Sequence, residues 1–301
     1  MSELTPTLVV THPGGAHTDD FLSCCLLAAS YEVPIERRLP TEEDLANNQH
    51  WVVDVGGEHD PASGNFDHHQ FPIDQEPVQC ALSLILKVLG LYETASKHCP
   101  WLEVTERMDV HGPNKTSAWM GINRDQLAQL HTPSHFSLVK MFGRLERLEP
   151  GESLYEIMQV IGGDLLSYLR TLEQKIAWFA EHALIHPVVK DQETFYVLQV
   201  VREEEVATDQ SLGMFQFIEQ HNAEHPDQVI IGTIMPDRRC DGYSLSRFQD
   251  HPCLDFNRVR DEQDVHFVHA SGFVAKTERQ DTPYLLELFS GAFKLESEPQ
   301  S

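Results

Sequence analysis

Asp67-His68-His69 places a carboxylate beside two imidazoles, and two earlier groups offer the same chemistry. One is Thr11-His12-Pro13-Gly14-Gly15-Ala16-His17-Thr18-Asp19-Asp20, the other Asp54 at the end of the apolar run Trp51-Val52-Val53. Imidazole and carboxylate suit divalent Mn, Fe, Co or Zn. Such groups recurring within the first 70 residues point to a hydrolytic metal site. Asp109 adds a later carboxylate. A two-ion site needs a carboxylate that can span ions roughly 3.5–4 Å apart. Asp54 suits that task, since it follows an apolar strand and precedes Gly56-Gly57. Adjacent His68 and His69 are expected to point in different directions, so that one can bind metal while the other faces a substrate.

Each residue also has an ordinary explanation. His12 alone reads as a loop histidine, and Asp19 or Asp20 as a helix N-cap. Asp54 reads equally as a strand-end turn residue. Met108-Asp109-Val110-His111-Gly112-Pro113 reads as a turn. The metal reading rests on their combination and order.

The elements that must position these groups are legible as short apolar runs. Leu8-Val9-Val10 reads as a strand ending at His12, with a helix from Asp19-Asp20 through Ala29. Ile35 falls in a second strand, Thr41-Glu42-Glu43-Asp44 opens a short capped helix, and 51–55 is a buried strand. Residues 78–89 form an amphipathic helix that stops at Gly90. This alternation implies an α/β fold with a parallel sheet. In such sheets ligands bind beyond the carboxyl ends of the strands, where His12 and Asp54 both fall. Residues 153–184 are helical, with Gly162-Gly163 expected to split them and His186-Pro187 to end them. Strand patterns follow at 195–201, 229–235, 243–248 and 266–270. The expected division is 1–185 and 186–301, with a frayed acidic tail after Leu295.

The net charge of −25, from 22 basic and 47 acidic residues, argues against tight non-specific binding to long duplex nucleic acid. A short anionic substrate is compatible with it where bound cations override the field locally. Arg238, Arg239 and Arg247 are conspicuous in so acidic a chain. The six cysteines form no C-x-x-C pair and read as reduced thiols. With no signal-peptide pattern and no membrane-length apolar run, a cytoplasmic location is expected. A homodimer stays open.

Asp67-His68-His69, Asp54 and the His/Asp cluster together resemble the DHH phosphoesterase superfamily, which includes RecJ-type exonucleases, oligoribonucleases and manganese pyrophosphatases. The nearer likeness is to its melanocyte-proliferating-gene branch, also described as metal-dependent protein hydrolases. Residues 11–19, 53–61 and 66–70 carry it, and Phe267-Val268-His269-Ala270-Ser271-Gly272-Phe273 resembles the branch again. The chain departs from the branch at Ala16, where an aromatic is usual, and at Asp20, where Glu is usual. It also departs at Val274-Ala275-Lys276, around Asp109, and in lacking a tryptophan near 255.

The resemblance implies a DHH-type α/β/α catalytic domain joined by a helical connection to a smaller α+β substrate-binding domain. It implies two divalent ions, Mn²⁺ foremost with Mg, Co, Fe or Zn as alternatives. His12, His17 and Asp54 would hold one ion; Asp19, Asp54, His68 and Asp109 the other. Asp67 would orient a histidine, and His69 would contact phosphate or assist the leaving group. Arg238, Arg239, Arg247, His269, Ser271 and Gly272 would bind substrate, with solvated or strand-end turns as the competing explanation. The implied activity is exonuclease-like hydrolysis of single-stranded RNA or short oligonucleotides. A small-molecule phosphatase or pyrophosphatase, and a non-catalytic binder retaining the fold, are the alternatives. Peptide hydrolysis is disfavoured, because no H-E-x-x-H occurs.

Overall fold

The computed structural model describes residues 5–130, 132–190, 193–202 and 212–294; the tail expected to fray lies outside them. The chain divides into two compact units, Met1–Thr171 and Leu172–Ser301.

The first unit runs β1 (Leu8–Thr11), α1 (Thr18–Tyr31), β2 (Ile35–Arg37), α2 (Glu42–Ala46), β3 (His50–Val53), β4 (His59–Asp60) and β5 (Asn65–Phe66). It continues with α3 (Ala81–Val88), α4 (Tyr92–His98), α5 (Pro100–Trp119), α6 (Arg124–Gln129), α7 (Pro133–Phe142), β6 (Arg147–Leu148) and the start of α8 (Ser153–His182). Its six strands order as β4-β5-β3-β1-β2-β6. β1 pairs in parallel with β2 and β3, and β3 in parallel with β5. The β-branched runs of β1 and β3 are almost wholly buried, as expected of central parallel strands. β1, β3 and β5 therefore end on one edge, followed directly by His12, Asp54 and Asp67.

Three sequence expectations need correcting. Gly162-Gly163 does not split the long helix: α8 is continuous from Ser153 to His182. A Cβ on Gly162 would run into the backbone of Cys25, so this glycine lets α8 lie against α1. Asp109 is on α5, not in a turn; the break comes at Gly112, with φ 72° and ψ 171°, followed by Pro113. The helix expected over 78–89 begins only at Ala81, where the Cys80 N–H donates to Ser83 Oγ at 3.1 Å.

The second unit contains the rest of α8, then β7 (Ala183–Lys190), β8 (Glu193–Val200), α9 (Met214–Glu224), β9 (Ile230–Pro236) and β10 (Tyr243–Arg247). β11 (Val265–Val268), β12 (Val274–Thr277) and α10 (Thr282–Gly291) complete it. Its sheet, ordered β11-β12-β10-β9-β8-β7, is antiparallel except for β8 with β9, giving an α+β unit. Its core is apolar, around Ile234, Leu245, Phe256, Leu285 and Phe289. The six cysteines are unpaired. No helix among the described residues is long and apolar enough to cross a membrane.

Candidate metal centre

Parallel pairing sets the first tier of the site. Asp54 leaves β3 with φ 60°, a left-handed conformation that aspartate tolerates better than most side chains, and its N–H donates to Phe66 O at 3.1 Å. Gly57, also left-handed at φ 74°, donates its N–H to Asp67 Oδ2 at 2.6 Å. Asp67 Oδ1 accepts the N–H groups of His68 and His69, at 2.7 and 3.0 Å, and meets His69 Nδ1 at 2.6 Å. Burial alone would raise the Asp67 pKa, but these donors outweigh it and hold the carboxyl below its ordinary range. Asp67 thus ties the β3 and β5 ends together and orients the His69 ring.

α1 and α5 bring the second tier. His68 Nε2 lies 3.0 Å from both Asp54 Oδ1 and Asp109 Oδ2. His12 Nε2 is 3.4 Å from Asp54 Oδ2, and His17 Nδ1 is 3.4 Å from Asp109 Oδ1. Burial disfavours a charged His68, but the Asp109 and Asp54 carboxylates prevail and raise it to about 10. Burial likewise works against an ionised Asp109, yet His17 and His68 hold its pKa well down. Asp19 has no such help. It is fully buried, and neither carboxylate oxygen has a hydrogen-bond partner. Desolvation, then repulsion from Asp54, Asp109 and Asp20, pushes its pKa far up.

The ligand atoms of His12, His17 and Asp54 form one cluster within 4.8 Å, and those of Asp19, Asp54, His68 and Asp109 another, with Asp54 common to both. An unpaired buried carboxylate facing two more acids is unstable without positive charge nearby. The donor set, all imidazole and carboxylate, fits hard or borderline divalent ions. Asp54, Asp67, His68 and His69 make a third grouping at the same edge.

Two residues support the site beyond the sequence expectation, which had Asp20 only as a helix N-cap and did not single out Arg37. Asp20 caps α1, its Oδ1 accepting the His17 N–H at 2.7 Å, but its Oδ2 also lies 3.2 Å from His12 Nε2. Buried Arg37, at the end of β2, donates to Gly14 O at 2.9 Å and Phe142 O at 3.3 Å, pinning the glycine loop. The adjacent acid in His-Thr-Asp-Asp was a signal for Asp20; an arginine closing a three-residue strand offered none.

In the second unit, Arg247 and Ser271 line one pocket of about 600 Å³ with Asn257 and Lys294. His269 Nδ1 meets Ser271 Oγ at 2.7 Å. Gly272 has φ 65°, and a side chain there would strike Asp255. Arg238 and Arg239 do not line that pocket; they sit between β9 and β10, where Arg239 N–H donates to Asp237 Oδ1 at 2.9 Å. Asp237, Cys240 and His266 approach one another there, but Lys276 Nζ stands 2.5 Å from Asp237 Oδ2 and already supplies the positive charge.

Fold and site together define an α/β unit whose candidate metal ligands gather at the carboxyl edge of parallel strands, from the strand ends and from α1 and α5. Residues 8–79 match the MYG1 exonuclease family profile, described as "Uncharacterised protein family (UPF0160)". The chain is 41% identical over 69 residues to the MYG1 exonucleases of Mus musculus and Homo sapiens, covering 22% of this chain and 18% of each relative. The match thus spans under a fifth of those proteins' length. The profile match contains His12, His17, Asp19, Asp54, Asp67, His68 and His69, while Asp109 lies outside it. Among solved structures, the DHH domain of a protein described as belonging to a family of ribosomal proteins is similar at 12% identity and TM-score 0.34, over 96% of this chain and 86% of that one. An exopolyphosphatase-related protein from Bacteroides fragilis is similar at 12% identity and TM-score 0.28, over 94% and 90%.

Proposed function

We propose that this protein is a metal-dependent phosphoester hydrolase, acting exonucleolytically on short single-stranded nucleic acid. The observation that carries the reading is the buried, unpartnered Asp19 beside Asp54 and Asp109, at the edge where His12, His17 and His68 converge. The likeness of residues 8–79 to MYG1 exonucleases supports the reaction class. His12, His17, Asp19, Asp54, His68 and Asp109 would hold two divalent ions, with Mn²⁺ favoured. When bound, such ions supply Lewis acidity and lower the pKa of water in the cleft toward neutrality.

The protein's own groups then position and discharge the substrate. His69 is largely exposed and shares a pocket with His12, His17 and Asp54. Its Nδ1 is fixed by Asp67, which leaves Nε2 to meet a phosphoryl oxygen or the leaving group, as a donor when the ring is an imidazolium. In the second unit, Arg247 and Ser271 are proposed as substrate-binding groups, in a pocket they share with Asp250 and Asp255.

The test is hydrolysis of labelled RNA and DNA oligomers with Mn²⁺, Mg²⁺, Co²⁺, Fe²⁺ or Zn²⁺. We expect Asp54→Ala and His68→Ala each to cut the rate by about a thousandfold or more. Metal-dependent cleavage that survives both substitutions would refute the assigned site. The strongly acidic chain favours a second reading, a small-molecule phosphatase or pyrophosphatase, which product analysis on nucleotides and pyrophosphate separates.

A further inference from the structure

A cavity of about 410 Å³ opens beside the metal cluster, within the first unit. His17, Asp19 and Asp109 form one edge, so an occupant of this cavity is next to whatever the clustered ligands hold. The far walls are different in kind. Met108 and Pro113 of α5 face them, as do Phe136 and Val139 of α7. The break at Gly112 turns α5 between Met108 and Pro113, so both sides of the kink contribute. Phe136 is 61% exposed, a large apolar ring held at a rim rather than in the core. Thr18 Oγ1 and His135 Nε2, hydrogen-bonded at 3.1 Å, supply polar atoms on the same wall.

No lysine or arginine lines the cavity among the described residues. Lys140 Nζ stands 5.6 Å from the Phe136 ring centroid but does not line the cavity, so a second phosphate placed there would be desolvated against Met, Pro, Phe and Val with no cation in the lining itself. A flat, uncharged heterocycle suits those walls, and the volume lies in the ordinary range for small-ligand pockets of roughly 300–1,000 Å³. The geometry points to a nucleoside-binding subsite: the base of the reacting nucleotide stacks on Phe136 between α5 and α7, while its phosphate meets the metal cluster. This rests on the phosphoesterase reading and deepens it, because it selects nucleotide esters over inorganic pyrophosphate or polyphosphate.

The test uses equilibrium binding, not turnover. The full chain, loaded with Mn²⁺, is titrated calorimetrically with uridine 5′-monophosphate, adenosine 5′-monophosphate, orthophosphate and pyrophosphate. The expected result is that the nucleotides bind at least about tenfold more tightly than orthophosphate, the scale of one base–aromatic stack. Phe136→Ala removes most of that advantage and leaves Mn²⁺ and orthophosphate binding unchanged. Nucleotides binding no better than orthophosphate, pyrophosphate binding more tightly than either nucleotide, or Phe136→Ala weakening all anions equally would overturn the subsite. Absence of any anion binding to the metal-loaded protein would overturn the phosphoesterase reading itself, and the subsite with it.

Discussion

The N-terminal unit buries Asp19, Asp20, Asp44, Asp54, Asp67 and Glu106; the described residues of the C-terminal unit bury one carboxylate, Asp237. Partners differ more than numbers. Asp237 meets the Lys276 ammonium and the Arg239 N–H. Within the first unit, Asp44 takes Arg38 and the Thr41 N–H, and Glu106 takes Ser83. Only near His12 and His68 do buried acids crowd one another, and only Asp19 among the six has both oxygens without a donor. A saturated buried acid contributes to the fold. An unsaturated one costs stability that the fold must recover elsewhere, and such positions are where function concentrates.

Substitution should split the two kinds by sign. Asp44→Asn should show the largest change, a loss of about 2 kcal/mol at neutral pH, because it breaks charge-assisted bonds to Arg38 and leaves donors unmet. The Arg38 hydrogen bond holds the folded Asp44 pKa below its unfolded value near ~3.9. Its contribution is therefore present above about pH 4 and lost as pH falls through the folded value. Chemical denaturation between neutral and strongly acid pH should show a shallower acid slope in the variant; parallel slopes would count against this account of Asp44.

Asp237→Asn should destabilise by about 1 kcal/mol, since Lys276 is partly exposed and water compensates part of the loss. Asp19→Asn should do the opposite, raising metal-free stability by about 1 kcal/mol, because an amide can donate to the neighbouring carboxylates. The folded Asp19 pKa is raised, so wild type loses stability as pH climbs above the unfolded value, and the gain in the variant should grow with pH. Thermal melts in chelator check both, and a destabilised Asp19→Asn would erase the contrast between saturated and unsaturated buried acids.

Much of this centre was readable from residues alone. Apolar runs ending at Thr11 and Val53 placed His12 and Asp54 on the strand-end edge, and the parallel pairing of β1 with β3 agrees. β5 was not readable, because it is two residues long and includes buried Asn65, so periodicity has nothing to act on. Gly112-Pro113 suggested a turn around Asp109, whereas the kink lies just past it and leaves Asp109 helical. Gly162-Gly163 suggested a break, yet the lack of a side chain serves the close approach to Cys25. The cavity under Phe136 needed the packing of α5 and α7 against α1, which no local pattern encodes. Strand order in the second unit was equally hidden, since alternation marks strands and not their partners.

Calorimetric titration of the metal-stripped protein with Mn²⁺, in wild type and Asp54→Asn, tests the central claim most directly. The account predicts two ions per chain in wild type and at most one, weakly held, when the shared carboxylate is gone. Two ions bound with unchanged affinity to Asp54→Asn, or none bound to wild type, would contradict it.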